Sequence, residues 1–100
     1  MFMRISWGRI KEGQWSEYEA RFKKLAEANI AQGGPKKRWL VRDLDDPNAG
    51  FAISAFDTEI EMRAWADNPE ARERVKQEMA DLYVGDYRVR NCEVRQVTGD

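Results

Sequence analysis

Histidine is absent from this 100-residue sequence, and that absence excludes more chemistry than any other. Without histidine the chain lacks the usual general base, the usual haem ligand and the commonest zinc ligand. We therefore expect no metal site and no resident cofactor. The single cysteine, Cys92, cannot form a disulfide within the chain, which fits a reducing compartment and predicts a cytoplasmic location.

Long apolar runs and an excess of one charge are also lacking. No stretch approaches the roughly 20 residues that a membrane-spanning helix requires, and Met1–Ile10 has no apolar run of the signal-peptide kind. The 17 Lys and Arg residues nearly balance the 18 Asp and Glu residues, so the net charge is −1. That balance gives no general attraction to nucleic acid or to an anionic membrane. We expect neither as a partner.

Apolar and aromatic residues are present in the amount that one packed domain needs. The chain is 42% hydrophobic and 11% aromatic and holds four tryptophans, which is too much for a disordered segment. Its length leaves no room for two cores. We therefore expect residues 1–100 to form a single domain.

Apolar periodicity predicts the element order βαββαβ. Strands are predicted over Met3–Ile10, Lys37–Leu44, Phe51–Phe56 and Tyr87–Val97, with a bulge between Val89 and Cys92. Capping boxes at Ser16 with Glu19 and at Thr58 with Glu61 predict the two helix starts, and Asn68-Pro69 predicts a break in the second helix. With right-handed crossovers this order gives the α+β ferredoxin-like fold, a four-stranded antiparallel sheet with both helices on one face.

Alternation divides the predicted sheet into two faces. The face that we expect beneath the helices carries Ile5, Trp7, Trp39, Val41, Phe51, Ile53, Tyr87 and Val89. The other carries Arg4, Ser6, Gly8, Arg38, Leu40, Arg42, Ala52, Ser54 and Phe56. Its small residues leave volume unfilled, and its apolar residues are too many for a wet surface. We predict that a second copy covers this face, giving a homodimer with a small-molecule pocket; the alternative is an ordinary solvated face.

One segment resembles a known family. "LVRDLDDPNAGFAISAFDTEIEMRAWADNPE", residues 40–70, is similar to the hairpin and helix of the antibiotic biosynthesis monooxygenases, which belong to the dimeric α/β barrel superfamily. The resemblance implies a ferredoxin-like domain that dimerises through its sheet. It also implies an activity such as cofactor-free oxidation of phenolic polyketides or quinols by O₂, or haem degradation.

The residues that such members use are only partly kept. Where haem-degrading members have an Asn, a Trp and a haem-ligating His, this sequence has Ser6, Trp65 and Val75, so only the tryptophan matches. Where quinone-forming members have an Asn, a Trp and a Tyr, it has Ala52, Phe56 and Met62. With the alternation, the resemblance predicts a substrate pocket formed by Ser6, Leu40, Ala52, Ser54, Phe56, Met62, Trp65 and Val75. Trp65 has core packing as its equal alternative.

The sequence defines less clearly which residues bind an anionic substrate and which act as a base. An anionic substrate could be held by Arg4, Arg38, Arg42 or Arg90, although each has a salt bridge or edge protection as its ordinary role. Possible bases are Asp43, Tyr87 and Glu93, none singled out by its spacing. No catalytic residue is assigned.

Two other classes of protein remain open. The same fold serves modules that bind a small molecule, or only a second copy, without catalysis. It also serves RNA-recognition domains, and "AGFAISAF" resembles their third strand, although it lacks the leading base and has Ile53 in place of the second stacking ring. By the face assignment above, Phe51 exposed on the sheet favours RNA binding, and Phe51 under the helices favours the barrel.

Overall fold

A computed structural model describes all 100 residues and has the predicted ferredoxin-like architecture. The elements are β1 (Phe2–Ile10), α1 (Trp15–Ala31), β2 (Lys37–Arg42), β3 (Ala49–Phe56), α2 (Glu59–Ala66), α3 (Pro69–Met79), a short 3₁₀ turn (Ala80–Leu82) and β4 (Tyr83–Glu93). The four strands form one antiparallel sheet in the order β2-β3-β1-β4. None of the helices has the length and apolar character needed to cross a bilayer.

The break in the second helix is confirmed and has two local causes. At the start of α2 the Thr58 hydroxyl accepts the Glu61 amide N–H at 3.1 Å, as the capping box predicts. The Asn68 carboxamide oxygen then accepts the amides of Glu70 and Ala71, and Pro69 occupies the first turn, so a new helix, α3, starts there. The box predicted for α1 is wrong, because that helix begins at Trp15 and has no side-chain cap.

The bulge in β4 lies nearer its start than predicted. Val84 pairs with Arg9 and Arg88 pairs with Trp7, so the register shifts between those two pairs. Gly85, with φ of 69°, lies inside this shift rather than at a helix end. Beyond it the pairing is regular to Glu93, so no bulge separates Val89 from Cys92.

The predicted face assignment is wrong for β1, β2 and β3, because the helices cover the opposite face of these strands. Leu40 and Ala52 pack against the buried side chains of α1. The Arg38 guanidinium carbon lies over the Phe22 ring of α1, 4.7 Å from the centroid of that ring. A Cβ added at Gly50 would lie 2.8 Å from the Trp15 ring. Tyr87 and Val89 of β4 line the space under the helices, as predicted, so the assignment is correct for that strand alone.

The exchange of faces follows from where the large rings originate. The main core cluster consists of Ile10, Trp15, Tyr18, Phe22, Leu25, Ala26, Met79 and Leu82, mostly side chains of the helices. The strands offer them small partners such as Gly50 and Ala52, whose missing volume the helix rings occupy. A face of small residues can therefore be the buried face when the opposing helix is aromatic.

The uncovered face is the apolar one. It carries Met3, Ile5, Trp7, Trp39, Val41, Phe51 and Ile53, which register places side by side on β1, β2 and β3. Cations lie over its two indoles: Arg9 and Arg88 over Trp7 at 5.9 and 5.7 Å, and Lys37 over Trp39 at 5.0 Å. We call these seven residues the open face.

Candidate functional site

A cavity of about 870 Å³ lies between the sheet and the helices. Its floor is formed by the strand residues Arg4, Ser6, Gly8, Arg38, Leu40, Gly50, Ala52, Ser54, Tyr87, Val89 and Asn91. Its cover is formed by α1 through Trp15, Tyr18, Phe22, Leu25 and Asn29, and by the later elements through Trp65, Val75, Met79 and Tyr83, among others. The volume is in the range that accommodates a drug-sized ligand.

Six of the eight predicted pocket residues line this cavity: Ser6, Leu40, Ala52, Ser54, Trp65 and Val75. They do so beneath the helices and not on a surface that awaits a second copy, which corrects the predicted position of the pocket. Phe56 and Met62 are buried, with exposed fractions of 2% and 1%, and lie outside the lining. Contact of any of these residues with a substrate stays a prediction.

A polar row crosses the cavity floor from one edge of the sheet to the other. Arg38 on β2 pairs with Ser54 on β3, Ser54 pairs with Arg4 on β1, and Arg4 pairs with Asn91 on β4. Neighbouring strands lie about 4.8 Å apart, so the row places an arginine on either side of one serine. We call Arg38, Ser54, Arg4 and Asn91 the polar row.

Arg38 is the most enclosed cation of the site. Its guanidinium makes no hydrogen bond or ion pair, and its Nε is buried without a partner. Burial lowers the pKa of Arg38, and the positive charge of Arg4 acts in the same direction. An arginine stays charged despite such a shift, so the floor holds a desolvated positive charge.

Two tyrosines face this charge. The hydroxyls of Tyr18 on α1 and Tyr83 on β4 lie 3.4 Å apart, with the rings edge to face. Burial raises the pKa of both groups, so both phenols are protonated at neutral pH. They can donate a hydrogen bond and are poor bases. Tyr18 is not among the site residues predicted from the sequence; its spacing of four residues from Phe22 places it on the apolar stripe of α1, and a hydroxyl at such a position is the signal that could have indicated it.

The other predicted arginines lie elsewhere. Arg42 is stacked on Trp15 at 5.3 Å and donates from Nε to the Pro47 carbonyl at 3.1 Å, so it supports the β2–β3 turn. Arg90 pairs with Ile5, which belongs to the open face, and is exposed. Of the candidates named from sequence, Arg38 and Arg4 line the cavity.

Among the possible bases only Tyr87 lines the cavity. The Asp43 carboxylate accepts the amides of Asp45 and Asp46 and so organises the turn after β2. Glu93 pairs with Arg95 at 3.3 Å on the surface. The structure therefore gives these two carboxylates local roles away from the cavity.

Trp65 forms a wall of the cavity next to the α2–α3 break. A Cβ at Gly34 would lie 2.8 Å from its ring, so that glycine lets the loop after α1 lie against the indole. Trp65 is half-buried, whereas Trp15 is buried and donates its indole N–H to the Pro47 carbonyl. Nearby, the buried Asn29 accepts from Arg74 at 3.3 Å. No group of His, Cys, Asp and Glu in the chain is arranged to hold a metal ion.

Comparison with known proteins identifies the family to which the chain belongs. Residues 1–77 match the family model of the antibiotic biosynthesis monooxygenases. The chain therefore belongs to that family. Strand β4, which completes the polar row, lies beyond the matched residues. No curated protein sequence matches the chain significantly.

Solved structures share the fold at low identity. A variant of MhuD with two manganese protoporphyrin IX groups per active site is 20% identical, with a TM-score of 0.79 and 100% of each chain covered. A variant of SnoaB, a cofactor-independent oxygenase from Streptomyces nogalater, is 18% identical, with a TM-score of 0.78 and 99% of this chain and 97% of that chain covered. An antibiotic biosynthesis monooxygenase is 16% identical, with a TM-score of 0.73 and 96% and 100% coverage.

The family match and the cavity lining bear on two possibilities raised by the sequence, RNA binding and haem degradation. Phe51 lies on the open face, as RNA binding was expected to require, but the faces of β1, β2 and β3 are exchanged together and the cavity lies under the helices. Exposure of Phe51 therefore does not separate the two interpretations, and the family match favours the monooxygenase class. Haem ligation through imidazole does not fit this cavity, because Val75 lines it and the chain has no histidine.

Proposed function

We propose that the protein is a cofactor-independent monooxygenase that oxidises a small aromatic compound, of phenolic, quinol or polyketide type, with O₂. The observation that carries the proposal is the cavity under the helices, lined by aromatic and apolar side chains with few convergent polar groups. Membership of the monooxygenase family supports it. So does the fold shared with SnoaB, itself described as a cofactor-independent oxygenase.

Oxidation of this kind requires few catalytic groups from the protein. An anthrone-type substrate loses a proton, and the resulting anion supplies electrons to O₂; over the whole reaction a CH₂ group becomes C=O, and the second oxygen atom leaves as water. The positive charge of Arg38 stabilises the deprotonated substrate, and the protonated hydroxyls of Tyr18 and Tyr83 can donate to its oxygen. Both effects are stronger where the apolar walls of the cavity keep water from the bound substrate.

Oxygen consumption tests the proposal directly. O₂ uptake is measured with a panel of quinols and anthrones, with buffer alone and with heat-denatured protein to correct for autoxidation. We expect uptake above both controls, loss of most of it in Arg38→Gln, and retention in Arg90→Gln, which removes the same charge from the other face of the sheet. Uptake equal to autoxidation across the panel would remove the oxygenase proposal.

We also propose that the 100 residues act as a homodimer joined through the sheets. The prediction that Leu40 and Phe56 form the interface is wrong, because both lie on the helix-covered face. The open face supports a dimer instead: its apolar residues are contiguous across three strands, an arrangement that monomers rarely leave exposed. A second copy of the same face is self-complementary around a two-fold axis.

A ligand-binding module without catalysis is the second candidate. The observation that favours it is the lack of a carboxylate or imidazole base on the cavity floor, where Tyr87 is the one candidate base present. Calorimetric titration with the same quinols distinguishes the two functions. Binding without O₂ uptake identifies a binding module, and binding with uptake identifies the oxygenase.

A further inference from the structure

The cavity floor holds two arginines and no acid to neutralise them. None of the six ion pairs of the chain involves Arg4 or Arg38, and neither side chain makes a hydrogen bond within the chain. The acidic residues of the lining, Asp67 and Glu73, lie on the helical side and are exposed. The polar row therefore carries two positive charges that the protein leaves unpaired.

An unpaired buried charge is unfavourable unless something compensates it. The Phe22 ring under Arg38 compensates in part through its π face. It cannot accept the Nε–H, which remains without a partner, and Arg4 adds repulsion. Removing water from such a cation is unfavourable unless a partner replaces the water, so the arrangement favours an anion that enters from the cavity.

We propose that the substrate is an aromatic carboxylate, with its carboxylate bound between Arg38 and Arg4 over Ser54. The planar guanidinium fork matches the two oxygens of a carboxylate, and the Ser54 hydroxyl between the arginines adds a third donor. The ring system then lies along Leu40 and Ala52 toward the Tyr18–Tyr83 pair. This assignment rests on the proposed function in taking the cavity as the substrate site.

A matched pair of probes tests the charge requirement. Anthraquinone-2-carboxylate and the neutral anthraquinone-2-carboxamide have nearly the same shape, and isothermal titration near neutral pH gives the affinity of each. We expect the wild-type protein to bind the carboxylate about 10- to 100-fold more tightly, the range of a charge-assisted hydrogen bond. Arg38→Gln removes that preference, and Arg90→Gln keeps it.

Controls keep the outcomes distinct. The thermal midpoint of each variant shows whether it folds; should Arg38→Gln not fold, Arg4→Gln is expected to reduce the preference, and the wild-type comparison needs no variant. Equal affinity for the two probes, tighter binding of the amide, binding of neither, or a preference unchanged in the folded Arg38 and Arg4 variants overturns the assignment. A carboxylate preference without O₂ uptake from any quinol or anthrone removes the oxygenase and leaves the substrate class standing.

Discussion

The two faces of the sheet differ in the size and polarity of their side chains. The open face carries two tryptophans and five other apolar residues, and only cations at its margin shield the rings. On β1, β2 and β3 the helix-covered face carries mainly glycine, alanine, serine and arginine, with Leu40 and Phe56, yet it is the one that lies in the protein interior. Residue size within the strands therefore does not tell which face is covered; the side chains of the covering element decide it.

Each face has a different requirement. The covered face needs space, because Trp15, Tyr18 and Phe22 enter from α1 and a ligand-sized cavity remains beside them. The open face needs a flat apolar partner, which a second copy of the sheet would supply in the proposed dimer. The same strands thus separate a proposed binding site for a small molecule from a proposed binding surface for a second copy of the chain.

The largest expected effect comes from placing a charge on the open face. Trp39→Glu removes an aromatic anchor and buries a carboxylate in the proposed interface, so we expect the dimer to weaken by about 2–4 kcal/mol. Light scattering coupled to gel filtration over a range of concentrations measures the dissociation constant. Ile60→Glu is the control, since Ile60 is 82% exposed on α2. A dimer unaffected by Trp39→Glu, or a wild-type monomer at micromolar concentration, contradicts the proposed interface.

The next largest effect is a loss of stability when a methyl group is added to the covered face, and its size depends on how tightly each glycine is packed. Gly8 and Gly50 face each other across β1 and β3. A Cβ at Gly50 would lie 2.6 Å from the Val41 carbonyl oxygen and 2.8 Å from the Trp15 ring, whereas at Gly8 the nearest atom is 3.3 Å away. We expect Gly50→Ala to reduce the free energy of unfolding by about 1–3 kcal/mol and Gly8→Ala by less. Urea denaturation measures both; equal losses would mean that Trp15 does not limit the site.

The fold was predictable because its signals are local. The capping residues Thr58 and Asn68 determine the helix starts, and alternation locates the first three strands. The orientation of the sheet was not predictable, since alternation assigns residues to two faces without saying which one the helices cover. The bulge near Gly85 was misplaced for a related reason: three residues opposite one break the alternation that would locate them.

The site was predictable as a set of side chains and not as an arrangement. Ser6, Leu40, Ala52 and Ser54 share a face by alternation alone, and that part is independent of which face the helices cover. The roles of Tyr18 and Tyr83 depend on a contact between residues 65 positions apart in the chain. No periodicity reports such a contact, because it follows from how α1 lies over β4.

A smaller effect concerns the cavity wall. Trp65→Ala is expected to weaken binding of anthraquinone-2-carboxylate about tenfold while lowering the free energy of unfolding by less than about 1 kcal/mol, because the indole is half-buried and borders open space. Trp65→Phe retains a ring and should recover part of the affinity. Titration and thermal unfolding of the same samples compare the two quantities. Loss of stability equal to or larger than the loss in binding free energy would make Trp65 a packing residue.

The smallest effect at neutral pH concerns the tyrosine pair and emerges only in alkali. The pKa of Tyr18 and that of Tyr83 are raised in the folded protein from the ordinary value of 10.0, chiefly by burial. Between about pH 10 and the folded pKa the unfolded chain releases protons that the folded chain keeps, so the stability contributed below pH 10 is lost as pH rises, by at most about 1.4 kcal/mol per pH unit for each group. Urea denaturation from about pH 8 to about pH 11 should therefore show falling stability. Tyr18→Phe should make the fall less steep, because it leaves one fewer buried phenol to keep protonated; an unchanged slope would mean that Tyr18 ionises readily and that the cavity is wetter than its lining indicates.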